Sequence, residues 1–222
     1  MSTVLITGAN RGIGLALATG FNERGDTVIA VCRKTSEALN RLGVRVEAGV
    51  DVTDGASLAD LARRLDGTEI DVLINNAGVL RRDAFETMED ALSDCRLQFE
   101  VNALAPLRVT RALLDRLSPE AKVAIITSRM GSIADNDSGG YYGYRMSKAA
   151  VNMAGVSLAH ELKGRGIAVA LLHPGYVRTD MTDHTGHVDT SESAAGLIAR
   201  IDALTLDTSA GFWHANGESL SW

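Results

Sequence analysis

Short β-branched runs recur along the chain at Thr3–Thr7 (TVLIT), Thr27–Val31 (TVIAV), 44–50, 70–74 (IDVLI), 122–127 (KVAIIT) and 167–172 (IAVALL). They are nearly continuous in apolar residues, as strands buried on both faces are. Between them the apolar spacing lengthens to that of helices, over about 13–24, 55–65, 88–117, 143–164 and 190–204. Strands alternating with helices specify a parallel sheet with right-handed crossovers and helices on both faces. The predicted class is α/β, a doubly wound parallel sheet, forming one domain over residues 1–222.

In such a sheet, ligands bind beyond the carboxyl ends of the strands, so the residues that follow each run carry the chemistry. After the first run come Thr7, Gly8, Ala9, Asn10, Arg11, Gly12, Ile13 and Gly14. Here Gly8 permits a tight exit from the strand, Gly12 lets backbone approach a diphosphate at a helix N-terminus, and Gly14 lets that helix lie close to the sheet. A plain strand-to-helix turn would show some of these glycines too. The second run ends at Cys32, Arg33 and Lys34, where NAD-selective sites place a carboxylate for the adenosine ribose. No acid stands there. Arg33, with Arg11 in the glycine turn, suits a ribose 2′-phosphate, unless Arg33 and Lys34 only solvate a loop.

Asp51 and Val52 follow the third run; Asp51 would accept from an adenine amino group or cap the next helix. Asn75, Asn76, Ala77 and Gly78 follow the fourth, small enough for backbone to lie against a ligand. Ser128 follows the fifth run. Tyr144 and Lys148 lie four apart on one face of a predicted helix. Neither Tyr141 nor Tyr142 has a lysine at that spacing, and the glycines of the intervening loop allow Ser128 and Tyr144 to meet. Asn102 lies four residues before Pro106; proline has no N–H, so the Asn102 carbonyl loses its helical donor. That leaves either a polar group seeking another partner or a simple kink.

Composition adds exclusions. Hydrophobic residues make up 45% and charged residues 23%, an ordinary globular balance. The net charge of −6 offers no basic excess for nucleic acid, and no apolar run reaches the ~20 residues a membrane span needs. Two cysteines, Cys32 and Cys95, cannot build a disulfide framework or a cysteine-rich zinc site and read as packing residues. His184 and His187 lie near aspartates, but no metal is expected. The first residues lack the basic and apolar regions of a secretion signal, so a cytoplasmic protein is expected.

Taken in order, Thr7-Gly8-x-x-x-Gly12-x-Gly14, Asp51, Asn75-Asn76-Ala77-Gly78, Asn102, Ser128, Tyr144-x-x-x-Lys148 and Pro174-Gly175 resemble the short-chain dehydrogenases/reductases. The stretch 139–152 (GGYYGYRMSKAAVN) and the Gly211-Phe212, Gly217 and Trp222 pattern are similar to the C-factor-like and sniffer-type carbonyl reductases of that family. The resemblance implies a Rossmann-type fold binding NADP(H) and a small carbonyl or alcohol substrate. It implies Tyr144 as general acid/base with its pKa lowered by Lys148, Ser128 on the substrate oxygen, and Lys148 on the nicotinamide ribose. At Asn102 it implies a main-chain carbonyl holding a water in a relay to Lys148. It sets Pro174, Gly175, Val177 and Thr179 against the nicotinamide, with His173 structural and 180–190 a mobile substrate lid. Arg129, Met130, Tyr176 and Met181 suggest a mixed substrate pocket. The apolar residues spread around helices 88–117 and 143–164 imply, with the family pattern, a homodimer or tetramer.

Overall fold

A computed structural model describes residues Met1–Trp222. Seven strands form one sheet in the order β3-β2-β1-β4-β5-β6-β7: β1 (Thr3–Thr7), β2 (Thr27–Val31), β3 (Arg45–Glu47), β4 (Ile70–Asn75), β5 (Leu117–Ile126), β6 (Ala168–His173) and β7 (Gly211–His214). Every pairing is parallel. The strand order reverses between β1 and β4, and there the carboxyl ends of the strands open a cleft.

The helices are α1 (Gly12–Glu23), α2 (Glu37–Arg41), α3 (Gly55–Arg64), α4 (Met88–Phe99), α5 (Ala105–Leu113), α6 (Tyr142–Leu162) and α7 (Thr190–Asp202). Alternate strand residues feed two cores. Val4, Ile6, Val28 and Ala30 pack with Leu17 and Phe21 of α1 and Leu197 and Ile201 of α7. Leu5, Ile29, Leu73 and Val123 pack with Leu58 and Leu61 of α3, Val109 and Leu113 of α5, and Val151 and Leu162 of α6. Strands apolar on both faces are thereby fully buried, as the continuous runs required.

Four elements differ from the sequence reading. The expected helix 88–117 is α4, a π-helical turn over Glu100–Leu104, then α5. Pro106 withholds the donor that an α-helix would aim at the Asn102 carbonyl, and the wider turn accommodates the gap. Residues after Leu113 leave the helix through a 3-10 turn into β5, which begins at Leu117. Between the pairs Ile70–Leu117 and Val72–Lys122 the ladder is interrupted, with Glu120 in the left-handed region. α2 and β7 are additional: Ser36 caps α2 by accepting from Leu39 N at 3.2 Å, and β7 extends the sheet past β6.

Candidate active site

The N-terminus of α1 faces the cleft. Its first turn holds no acidic residue, and the N-cap residue Arg11 offers no side-chain acceptor. The N–H groups of that turn therefore suit an anion. Gly14 is required by contact: a Cβ there would stand 2.3 Å from the Gly8 carbonyl oxygen. Thr7 Oγ1 accepts from Asn76 N (3.0 Å) and Ala77 N (3.1 Å), and Asn76 Nδ2 donates to Thr7 O at 2.9 Å. These bonds bind the turns after β1 and β4 into one rigid floor carrying Gly8 and Gly78. Asn10 is held from beneath, where Ser36 Oγ donates to its carbonyl at 2.7 Å.

Asn75 is buried at the end of β4. Its amide donates to Thr110 Oγ1 at 3.1 Å, within the buried joint between β4 and α5. The Asp51 carboxylate accepts from Thr53 N (2.9 Å) and Thr53 Oγ1 (2.7 Å), and these bonds hold its pKa below the usual carboxylate range. It does not cap α3; Asp54 does. Val52, half-buried, leads from Asp51 into that cap. Arg33 lies exposed and close enough to lower the Asp51 pKa further. Cys32 is buried in the core and its thiol is pushed up by burial.

Opposite the glycine turn stand the candidate catalytic groups. Ser128, Tyr144, Lys148 and Asn102 are all buried. Ser128 caps a 3-10 turn, its Oγ accepting from Met130 N at 3.1 Å. That turn lies against α6 at Gly131, where a Cβ would be 2.7 Å from the Lys148 carbonyl carbon. The approach brings the Ser128 hydroxyl near enough to favour the Tyr144 phenolate. Burial nonetheless dominates and pushes the phenol up to about 12. The Lys148 ammonium is 5.7 Å from the Tyr144 ring centroid, donates to Ile126 O at 2.9 Å, and is itself drawn down to about 8 by burial.

Asn102 acts here through its side chain. Its amide donates to Val79 O (2.9 Å) and Ser147 Oγ (3.0 Å), while its Oδ1 accepts from Val79 N at 2.9 Å. It thus bolts the loop after β4 to α6. Asn152, which sequence reading passed over, joins Thr127 Oγ1 (2.6 Å) to the Gly131 carbonyl (3.4 Å) and brackets Ser128. Its spacing of four beyond Lys148 on the same helix was the available signal.

The turn after β6 closes the cleft. The Pro174 carbonyl accepts from Ser193 Oγ at 2.7 Å, Gly175 is left-handed at φ +91°, and Val177 pairs with Val188. The Thr179 methyl would lie 3.5 Å from a Cβ placed on Gly12. Residues 180–190 hold a short 3-10 turn with their own ties: Thr182 Oγ1 donates to Val177 O at 2.6 Å, and Arg178 pairs with Asp189 at 2.7 Å. Arg11 reaches across to Asp180 at 3.0 Å, and Arg82 pairs with Asp183. His184 pairs with Asp180 at 3.1 Å and His187 packs edge-on against Tyr176. Tyr176 and Met181 are exposed at this rim. His173 packs edge-on against His214, and burial holds it down to about 3.

A sequence model of the family described as short chain dehydrogenase matches residues 2–189. The chain is 44% identical over the whole of both chains to the 1-hydroxy-2-glutathionyl-2-methyl-3-butene dehydrogenase of Rhodococcus sp. (strain AD45). Its fold superposes on the NADPH-bound carbonyl reductase from chicken fatty liver with a TM-score of 0.90, at 30% identity and covering 100% of this chain and 99% of that one. The carbonyl reductase Sniffer of D. melanogaster follows at 0.89 and 26% identity, with both chains fully covered. The fold and the paired motifs are those of an oxidoreductase with a Rossmann-type sheet. The chain belongs to the short-chain dehydrogenase family. No helix is long and apolar enough to cross a membrane.

Proposed function

We propose that this protein is an NADPH-dependent reductase of small carbonyl compounds, with Tyr144 as the proton donor. The observation that carries the reading is the placing of buried Ser128, Tyr144 and Lys148 opposite the uncapped, acid-free start of α1. In the reductive direction a protonated phenol donates to the carbonyl oxygen.

The uncapped, acid-free start of α1 fits a diphosphate. The absence of an acid after β2, with Arg33 exposed beside Asp51, fits a 2′-phosphate. Gly12, Ile13 and Gly14 would hold the diphosphate, Arg11 and Arg33 the 2′-phosphate, Asp51 and Val52 the adenine, and Ala77 and Gly78 the adjoining ribose. Pro174, Gly175, Val177 and Thr179 would face the nicotinamide. Bound NADPH supplies the hydride. Ser128 Oγ orients the carbonyl oxygen, and Tyr144 delivers its proton to that oxygen as negative charge develops there. Lys148 holds the nicotinamide ribose and stabilises the phenolate left behind, with the Asn102 carbonyl and a water as its proton supply.

The oxidative direction has one observation in its favour, the Rhodococcus relative named a dehydrogenase. Turnover against aldehydes, ketones and diketones with NADPH, and against the matching alcohols with NADP, decides between them. Reduction is expected to dominate at pH 7 with equal coenzyme concentrations. Dissociation constants measured beside it should favour NADPH over NADH, with that preference shrinking as salt rises and on Arg33→Ala. Equal NADH binding overturns the coenzyme assignment.

A further inference from the structure

The first turn of α6 carries Tyr144, yet it cannot cap itself. Its N-cap residue Tyr141 is left-handed (φ 51°, ψ 44°) and makes no side-chain cap. Gly139 and Gly140 before it are also left-handed. A helix start leaves its leading N–H groups without internal partners, and buried ones need an acceptor. Here the acceptor comes from elsewhere in the chain. The Asp83 carboxylate, in the loop between β4 and α4, accepts from Tyr142 N through one oxygen and from Gly143 N at 3.0 Å through the other. A carboxylate at a helix N-terminus also complements the helix dipole.

The loop that presents Asp83 is itself fixed at two points by α4 and the π turn. Gln98 Oε1 accepts from Arg81 N at 2.9 Å, and Asn102 clamps Val79. Cys95, Gln98 and Asn102 are spaced three and four apart, so one buried helix face holds both the loop and α6. The contact at α6 is close: a Cβ on Gly143 would lie 2.9 Å from Cys95 Cα and 2.6 Å from Gln98 Nε2. Asp83 thus grips the two residues immediately before Tyr144, in a helix turn with no other side-chain cap.

We infer that Asp83 is a positioning residue for Tyr144, fixing the phenol's place relative to Ser128 by capping α6 from the β4–α4 loop. The inference rests on Tyr144 being the proton donor. The test compares the full-length protein with Asp83→Ala, Asp83→Asn and Asp83→Glu. Steady-state kinetics on the reduced carbonyl, NADPH binding, and amide hydrogen exchange over residues 141–146 in the free protein are measured. Asp83→Ala is expected to lower kcat at least tenfold, leave the NADPH dissociation constant within twofold, and speed exchange at Tyr142 and Gly143. Asp83→Asn keeps one of the two acceptors and turns an NH2 toward the other N–H, so its kcat is expected to lie between those of Asp83→Ala and the natural protein. Asp83→Glu keeps the charge but displaces the acceptor by a methylene, and is expected to fall below Asp83→Asn. An unchanged kcat in Asp83→Ala, or an Asn variant as impaired as Ala, overturns the inference. Should Asp83→Ala not fold, Asn and Glu variants with equal, natural kcat overturn it. If the natural protein shows no turnover on any carbonyl, the functional reading fails. The exchange data then decide alone: faster exchange in Asp83→Ala sustains the clasp, and unchanged exchange ends it.

Discussion

Three tyrosines stand within four positions, and their surroundings separate them. Tyr144 is buried against Ser128, Tyr141 is the left-handed residue before α6, and Tyr142 is exposed. Tyr144→Phe is expected to lower reductive turnover by roughly 10²–10⁴-fold, the usual cost of losing a general acid, with NADPH affinity little changed. Tyr142→Phe should keep most activity; steady-state rates with titrated coenzyme check both. His173 gives a different expectation. Its pKa lies near 3 in the folded protein against 6.5 for the free side chain. Above pH 6.5 it is neutral whether the chain is folded or not, and nothing is lost. Below pH 6.5 the unfolded chain takes up a proton that the folded one refuses, so stability falls steadily toward pH 3. Melting temperatures between pH 7 and pH 4.5 should therefore drop less in His173→Asn than in the natural protein. The choice of Tyr144 was legible because a lysine at i+4 is local information. Its burial was not, because burial is a property of the assembled core. Asn75 illustrates the same limit: its position after β4 suggested a ligand contact, while its partner Thr110 comes from a helix 35 residues away.

At the scale of elements, the start of α1 is the most demanding piece of packing. Gly14→Ala would press a methyl into the Gly8 carbonyl, forcing α1 off the turn. An overpacking cost of about 1–3 kcal/mol is expected, together with weaker NADPH binding, read by thermal melting and coenzyme titration. An alanine variant with natural melting temperature and affinity would show that the turn tolerates the separation. The six short apolar runs were readable by their continuous β-branched content, and the helical stretches by a period sustained over ten or more residues. α2 has only five residues and β7 only four, too few for periodicity to register. Pro106 announced a break at Asn102, but a proline signals only that a donor is missing. The π turn is how tertiary packing absorbs it, and local sequence does not encode that choice.

For the whole molecule, a twofold assembly through α4 and α6 is the expectation, and the structure refines where to test it. Met146 and Met153 are exposed on α6, the latter 70%, and Leu97 and Phe99 are exposed on α4. Val156 and Leu158 of α6 are half-buried against the protein's own core. Met153→Glu is therefore the cleaner probe: it leaves the fold intact and places a charge where a partner would have to desolvate it. Light scattering at micromolar concentration should show a dimer for the natural protein and about 23.5 kDa for the variant. A natural protein already at 23.5 kDa removes the expectation.

The pairing of β1 with β4 also sets a schedule for synthesis. Val4 lies beside Val72, and Ile6 beside Ile74. At ribosomal speeds of about 5–20 residues per second, β1 therefore waits on the order of 3–14 s for the strand that completes its second edge. Throughout that interval an apolar, β-branched segment has only β2 to pair with, and parallel sheets are slow to form even once all strands are present. Faster elongation shortens that interval, and β1 gains its second edge only when about a third of the chain has been made.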